Sequence, residues 1–428
     1  MRRRHFPPAL LLTVLLMAVS STARSATADS LRHVGWNVYV SPSRQIAMDE
    51  YERMWLRDKS QTAIGAEIEF YRHPSDSDFF AADYGYPVLA VGAEVSLNNG
   101  VTMRKQPDEM WGQLQTVDYN SHLGNIITLY LSFNRPLWRT NKWEVAYLMK
   151  AGVGYDAHCY NRHDNIDNEL IGSHFNIFFG AGLRASYRIA DDWGLMAGLE
   201  YGHHSNGALD RPNKGENHVG PLLGVRYYPS LPPTPSRRRG ITSQLPSGKG
   251  KFTPYWYANF SAGLGAKSML EDWQQTQFQT PPGDPNYRTH HFRLYAAWSL
   301  QADMMYRYAR RWASGLGADV FYGTYSDHIA DMDARQGHDV RHSPWSLGVA
   351  AKHEVFYHNL SMAMSVGVYL FRKMGVSAKE IEKPYYERIG IHYSFPQCGN
   401  IKIGANVKAH RTKADLTEMT VAIPFTLR

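Results

Sequence analysis

Three polar side chains near residue 205 have the types and spacing of a hydrolytic site. The segment 200–207 reads EYGHHSNG, with His203 and Ser205 two residues apart. Side chains two residues apart on a β-strand point to the same side, roughly 6–7 Å from one another along the chain. An imidazole at that distance can reach a hydroxyl. Histidine as general base and serine as nucleophile are the pair that hydrolyses esters.

Such a pair needs a third group that orients the imidazole. The next predicted strand begins at Asn217, and an antiparallel hairpin would bring Asn217 beside His203 and Ser205. An asparagine orients a histidine through its carbonyl oxygen. The alternative is Glu216, brought round by a β-bulge. We favour Asn217 over Glu216.

The residues that directly follow the serine are candidates for the oxyanion and substrate-binding part of the site. Asn206 has a side-chain amide that could donate to an oxyanion. Gly207 completes this predicted segment. We predict no metal ligands in the site and no redox or nucleotide cofactor.

The strand that carries this site alternates between apolar and mostly small residues. Trp193, Leu195, Ala197, Leu199 and Tyr201 share one face, opposite Gly194, Met196, Gly198, Glu200 and Gly202. His203 and Ser205 have the parity of the apolar face. Other segments repeat this period of two, with Lys, Arg, Glu and Asn on the second face. The pattern predicts an all-β antiparallel transmembrane β-barrel of the outer-membrane type, with a polar interior and a lipid-facing exterior.

The alternation predicts about 14–16 strands. The sixteen candidates are 34–41, 62–71, 88–97, 124–134, 143–155, 174–188, 193–203, 217–228, 255–267, 292–308, 312–323, 345–357, 360–371, 385–395, 400–410 and 416–425. Between the eighth and ninth candidates lies a Pro- and Arg-rich stretch, which is either a linker between two eight-stranded halves or a long periplasmic turn. We favour a single barrel.

The first residues predict export, and the charge balance argues against a nucleic-acid-binding protein. Arg2, Arg3 and Arg4 precede an apolar run over 9–19, and small residues end at Ala28, as in a cleaved secretory signal. Removing residues 1–28 takes away four arginines and no acid, so the net charge falls from +7 to +3 over the remaining 400 residues. We therefore do not expect a nucleic-acid partner. The two cysteines, Cys159 and Cys398, fall at opposite ends of the predicted barrel and are not expected to form a disulfide.

These observations divide the chain into four parts. They are a signal peptide over 1–28, barrel strands carrying the site over 29–228, the linker or long turn over 229–253, and C-terminal barrel strands over 254–428.

Two motifs resemble a known family. The segment HHSNG at 203–207, followed by PNKG at 212–215, resembles the signature of the PagL-type lipid A 3-O-deacylases, which are outer-membrane barrel esterases. The resemblance implies catalytic roles for His203 and Ser205. The family's third member, a glutamate twelve residues after the serine, falls on Asn217, so this sequence departs from the family there.

The resemblance covers residues 143–228 well. The segments 160–162 and 171–176 are similar to larger PagL-related proteins, and residues 250–428 resemble the C-terminal extension of such relatives. The expected partner is lipid A or lipopolysaccharide in the outer leaflet of the bacterial outer membrane. The oligomeric state is left open.

Two other functions remain as alternatives. The same spacing is similar to that of outer-membrane phospholipase A, whose triad is Ser, His and Asn and whose activity needs calcium. The second alternative is a non-enzymatic porin or structural barrel.

Overall fold

The chain forms two closed antiparallel β-barrels, each with eight long strands. The computed structural model describes residues 33–72, 78–108, 116–228, 251–379 and 381–427. The first barrel contains β1 (Val34–Gln45), β2 (Leu56–Phe70), β3 (Val88–Leu97), β6 (Ile126–Arg139), β7 (Trp143–Asp156), β8 (Phe175–Arg188), β9 (Trp193–Ser205) and β10 (Glu216–Tyr227). The second contains β11 (Tyr255–Ser268), β12 (Leu294–Ala309), β13 (Trp312–Gly323), β14 (Trp345–Tyr357), β15 (Leu360–Arg372), β16 (Tyr385–Phe395), β17 (Ile401–His410) and β18 (Lys413–Leu427).

Short strands and helices lie between the long barrel strands. Two short strands, β4 (Val101–Met103) and β5 (Ser121–His122), pair with each other, and β4 also pairs with β2. The helices are Glu50–Trp55, Phe79–Asp83, Leu270–Phe278 and Ser326–Arg335, with a 3₁₀ turn at Pro396–Cys398. No helix among these residues has the length and apolarity to cross a bilayer.

All sixteen predicted strands are present, so the outer-membrane-type barrel fold is confirmed. The largest difference at a strand end is in β2, which begins at Leu56 rather than at residue 62. The short strands β4 and β5 were not predicted, because two or three residues are too few to show alternation.

The preference for a single barrel is wrong. Strand β1 pairs with β2 through Val34↔Phe70 and with β10 through Trp36↔Tyr227, which closes the first sheet. Strand β18 pairs with β11 and closes the second. In each half, the hydrogen-bonding edges of the first and last strands are therefore paired within that half. Alternation along a strand reports which face is apolar but not which strand is the neighbour, so the sequence could not distinguish one barrel from two.

Several sequence predictions fall on residues outside this description. The signal peptide over 1–28 and residues 229–250 of the predicted linker lie outside the described residues. Both cysteines are described and free, with Cys159 partly buried and Cys398 exposed.

The interior of the first barrel is polar and its exterior apolar, as the alternation predicted. Buried ion pairs cross the lumen, with Lys150 Nζ 2.7 Å from Glu200 Oε2 and Arg184 Nη1 2.7 Å from Glu67 Oε2. On the outer surface, Leu199 is 56% exposed. This arrangement lets every second side chain face lipid while charges are paired inside.

The chain separates into two compact units that do not follow the sequence strictly. The first unit holds the first barrel together with residues 277–290, which come from the second half of the sequence. The second unit holds the second barrel together with residues 207–211.

Candidate active site

The candidate nucleophile and base lie at the end of β9. His203 Nε2 is 2.9 Å from Ser205 Oγ. Both side chains are partly buried, and they share the outward parity of Leu199. The strand ends at Ser205, so the pair has the regular spacing of a strand but lies at its margin.

Strand pairing brings Asn217 to the other side of the imidazole. In the β9–β10 register, Asn217 is directly opposite His203. Its Oδ1 lies 2.8 Å from His203 Nδ1, while its Nδ2 donates to the carbonyl of Gly215 at 3.1 Å. The carbonyl of Gly215 can only accept, which assigns Nδ2 to that side and Oδ1 to the imidazole. His203 then carries its proton on Nδ1, and the lone pair of Nε2 faces Ser205.

A tyrosine supports the same amide. The hydroxyl of Tyr201 donates to Asn217 Oδ1 at 2.7 Å, so this oxygen accepts two hydrogen bonds. Tyr201 shares the outward parity of His203 and Ser205. The sequence pattern predicts only a lipid-facing aromatic residue here, and its parity is the one signal that could place it in the site.

The backbone at Gly215 passes close to the imidazole. Gly215 has φ +85°, a left-handed conformation that favours glycine. A Cβ added here would lie 2.6 Å from His203 Cε1 and 3.3 Å from its Nδ1. The glycine of the PNKG segment therefore meets both a backbone requirement and a steric one.

The asparagine after the serine has an uncommitted amide. The Asn206 side chain is 3% exposed, and neither its Nδ2 nor its Oδ1 has a hydrogen-bond partner among the described residues. Its backbone N–H donates to Asn213 Oδ1 at 3.0 Å, which explains the Asn of the PNKG segment. Gly207 follows with φ +64° as the chain leaves the strand. The buried Asn206 amide is therefore a candidate donor to a ligand.

Glu216 lies on the inner side of the sheet and does not contact His203. Its Oε2 is 2.6 Å from His204 Nδ1, and its Oε1 is 2.6 Å from His218 Nδ1. Strand β10 begins at Glu216 without a bulge, so adjacent residues alternate and Asn217 takes the outward position. Of the two candidates for the third group, the structure places Asn217 at the imidazole.

The turn that precedes Asn217 is held by an outer loop. Gly215 N donates to the carbonyl of Leu170 at 2.9 Å, and Lys214 N donates to the carbonyl of Glu169 at 3.1 Å. The Glu169 carboxylate pairs with the buried Lys105. The loop over 157–174 thus fixes the backbone that carries Gly215.

Residues 277–290 brace that loop from within the same unit. Arg288 is 1% exposed, and its Nη2 donates to Asp167 Oδ1 at 2.6 Å and to the carbonyl of Ile166 at 2.9 Å. Tyr160 donates to the carbonyl of Arg288 at 2.6 Å. Arg288 was not predicted from the sequence, because about 70 residues, including strand β11, separate it from Asn217 and no local pattern links the two.

Known families match both parts of the chain. The family model described as lipid A 3-O-deacylase (PagL) matches residues 91–226, which contain the whole candidate site. The family model described as acyloxyacyl hydrolase, C-terminal domain, matches residues 256–427, which form the second barrel. No curated protein matches the chain.

Solved structures that are similar to the chain include porins and channels. They include a mutant of the Rh. blastica porin (8% identity, TM-score 0.16, covering 92% of this chain and 99% of that one). Another is the COG4313 outer membrane channel from Pseudomonas putida F1 (6% identity, TM-score 0.19, covering 92% and 96%).

The barrel fold and the two family matches indicate a hydrolase of the outer-membrane β-barrel type. The two parts of the chain match the two family models of a larger, two-part PagL-type relative.

Proposed function

We propose that this protein is an outer-membrane esterase that hydrolyses the 3-O-linked acyl chain of lipid A, with Ser205 as nucleophile and His203 as general base. The observation that carries the proposal is the chain of contacts from Asn217 Oδ1 through His203 to Ser205 Oγ, at 2.8 and 2.9 Å. Both distances are within hydrogen-bond reach, as a nucleophile, its base and the group that orients the base require.

The proposed reaction uses side chains alone. His203 Nε2 takes the proton of Ser205 as Oγ attacks the acyl carbonyl carbon, and the Asn206 amide donates to the oxyanion. The intermediate collapses, the C–O bond to the sugar breaks, and the leaving oxygen takes the proton from His203. Water then gives a proton to His203 as its oxygen attacks the acyl-serine carbonyl carbon. The bond from that carbon to Ser205 Oγ breaks, His203 returns the proton to Oγ, and the fatty acid leaves. Asn217 stabilises the charged imidazole throughout.

The location of the pair suits a substrate embedded in the membrane. His203 and Ser205 have the parity of Leu199, and Asn217 has the parity of Leu223, which is 60% exposed. A site at the outer end of this apolar surface would receive an acyl chain that lies beside the barrel in the outer leaflet. This placement supports lipid A, rather than a soluble ester, as the substrate and the outer membrane as the location.

Ser205→Ala provides the decisive test. Lipid A from cells carrying the native protein should show loss of one acyl chain by mass spectrometry, and lipid A from cells with Ser205→Ala should not. Ser173→Ala is the matched control, because the Ser173 hydroxyl donates to the carbonyl of Phe175 and belongs to the outer loop. Equal deacylation by native protein and Ser205→Ala would overturn the mechanism.

A phospholipase A is the second candidate function, and Asn217 favours it. An asparagine as the third group is the arrangement that resembles outer-membrane phospholipase A, whereas the deacylase pattern has a glutamate there. Purified protein assayed on phospholipid vesicles and on lipopolysaccharide separates the two. Release of fatty acid from phospholipid alone, dependent on added calcium, would support the phospholipase.

A further inference from the structure

A second cluster of polar side chains lies directly behind the candidate triad, on the inner side of the same two strands. His204 and Glu216 are opposite each other in the β9–β10 register, next to the His203–Asn217 pair, and His218 follows on β10. Because successive side chains alternate between faces, this cluster lies inside the barrel while the triad lies outside. The triad does not use it.

The three side chains converge on one point. The two imidazoles present their Nδ1 atoms to different oxygens of Glu216, each at 2.6 Å. One ligand atom from each residue lies within 4.8 Å of the others. All three side chains are buried, at 0, 1 and 8% exposure for His204, Glu216 and His218. Two histidines and one glutamate are a donor set that zinc takes in proteins.

Glu216 differs from the other inward-facing glutamates on the strands of this barrel in the charged groups that pair with it. The others form ion pairs with lysine or arginine: Glu67 with Arg184, Glu69 with Arg226, Glu94 with Lys150, Glu144 with Arg139 and Arg226, and Glu200 with Lys150 and Arg184. Among the described residues, Glu216 has ion-pair contacts only with the two imidazoles. A buried carboxylate needs compensating positive charge, and a divalent cation shared with neutral histidines supplies it.

The surroundings have the partners expected around metal ligands. His204 Nε2 lies 2.9 Å from Thr128 Oγ1, so an imidazole bound through Nδ1 would keep its proton on Nε2 and donate it there. Glu216 Oε1 accepts from Gln45 Nε2 at 2.5 Å. Such outer contacts fix the ring orientation and the basicity of metal ligands.

We propose that His204, Glu216 and His218 bind a divalent transition-metal ion, with zinc as the best match. The ion would join β9 to β10 at the residue pairs next to those that carry His203, Ser205 and Asn217. Its role is structural, because the site is on the inner face while the proposed substrate site is on the outer face. This proposal departs from the sequence-based expectation of no metal ligands, which stays a prediction.

The test compares two neighbouring histidines with opposite orientations. Full-length protein, folded in detergent and dialysed against zinc, is analysed by metal mass spectrometry. We expect about one zinc per chain in the native protein and in His203→Gln, and at least about 10- to 100-fold weaker zinc binding in His204→Gln. His203→Gln is the matched control, since it makes the same change one residue away on the outer face. Absence of stoichiometric zinc in the native protein, or equal loss in both variants, would overturn the site.

Two further measurements keep the proposal testable if His204→Gln does not fold. Cobalt added to metal-depleted native protein should give the visible absorption bands of a low-symmetry site, and zinc should abolish them. No bands would count against the proposal. Ser205→Ala should lose acyl release and keep its zinc, so failure of the esterase proposal and failure of the metal site give different results.

Discussion

Replacing Gly215 with alanine should disable the candidate site through one steric contact. The new Cβ would lie 2.6 Å from His203 Cε1, while ordinary contacts begin at 3.4 Å, so the imidazole must move by 3.4 − 2.6 = 0.8 Å. The 2.9 Å contact between His203 Nε2 and Ser205 Oγ would not survive such a shift. A misplacement of about 1 Å costs on the order of 100-fold in rate, so we expect kcat to fall about 100-fold.

The substitution also strains the backbone, and a second glycine separates the two effects. Gly283 lies in the same compact unit with φ +95°, and a Cβ there would have nothing within 4 Å. Alanine at either position in the left-handed conformation costs about 1–2 kcal/mol. Gly283→Ala therefore reproduces the strain without the clash.

The assay is the rate of fatty-acid release from purified lipopolysaccharide, measured for native protein, Gly215→Ala and Gly283→Ala in the same detergent. Thermal unfolding of each protein reports the strain. We expect similar losses of stability in both variants and a large loss of kcat in Gly215→Ala alone. If the two variants had equal kcat, the steric argument for Gly215 would be refuted.

Three further predictions concern residues around the site. Tyr201→Phe removes one hydrogen bond to Asn217, so kcat should fall about 2- to 10-fold with KM unchanged. In an Asn217→Ala background the same substitution should have no further effect on kcat. An undiminished effect there would contradict a role of Tyr201 through the Asn217 amide. Arg288→Gln leaves the buried Asp167 without its charged partner, which should lower the stability of the fold by about 3–5 kcal/mol. Proteolysis in the loop over 157–174 should therefore accelerate. An unchanged cleavage pattern would refute the bracing role of Arg288. Burial raises the pKa of Glu52 from about 4.5 to about 7, so the folded state favours the protonated carboxyl. The stability that this preference contributes is complete below about pH 4.5 and is lost as the pH rises through about 7. Unfolding midpoints between about pH 4 and 8 should therefore fall less for Glu52→Gln than for the native protein, and parallel curves would contradict the shift.

The candidate triad was largely predictable because it depends on short-range rules. Parity places His203 and Ser205 on one side of β9, and a hairpin of adjacent strands brings Asn217 opposite His203. Both rules follow from the two-residue period of a strand and need no knowledge of the rest of the fold. The contribution of Tyr201 follows from the same parity but had no motif to mark it.

The supports of the site were not predictable in this way. The turn at Gly215 is held by backbone bonds from a loop some 45 residues earlier, and that loop is braced by Arg288, some 120 residues after it. Pairings over such separations are set by how the barrel brings its loops together. Nothing in the local composition encodes them.

By itself the sequence determined the sixteen strands, the faces they present to lipid and lumen, and the side chains that can act together on one hairpin, because each depends on residues close in the chain. Only the tertiary structure decided that the strands close as two barrels of eight. It also decided that Glu216 contacts two histidines on the inner face while Asn217 contacts the His203 imidazole on the outer face. It assigned residues 277–290 to the first unit. The physical reason is that strand closure and buried charge pairing depend on which backbone edges and which charges meet in space, and alternation along one strand carries no record of its partners.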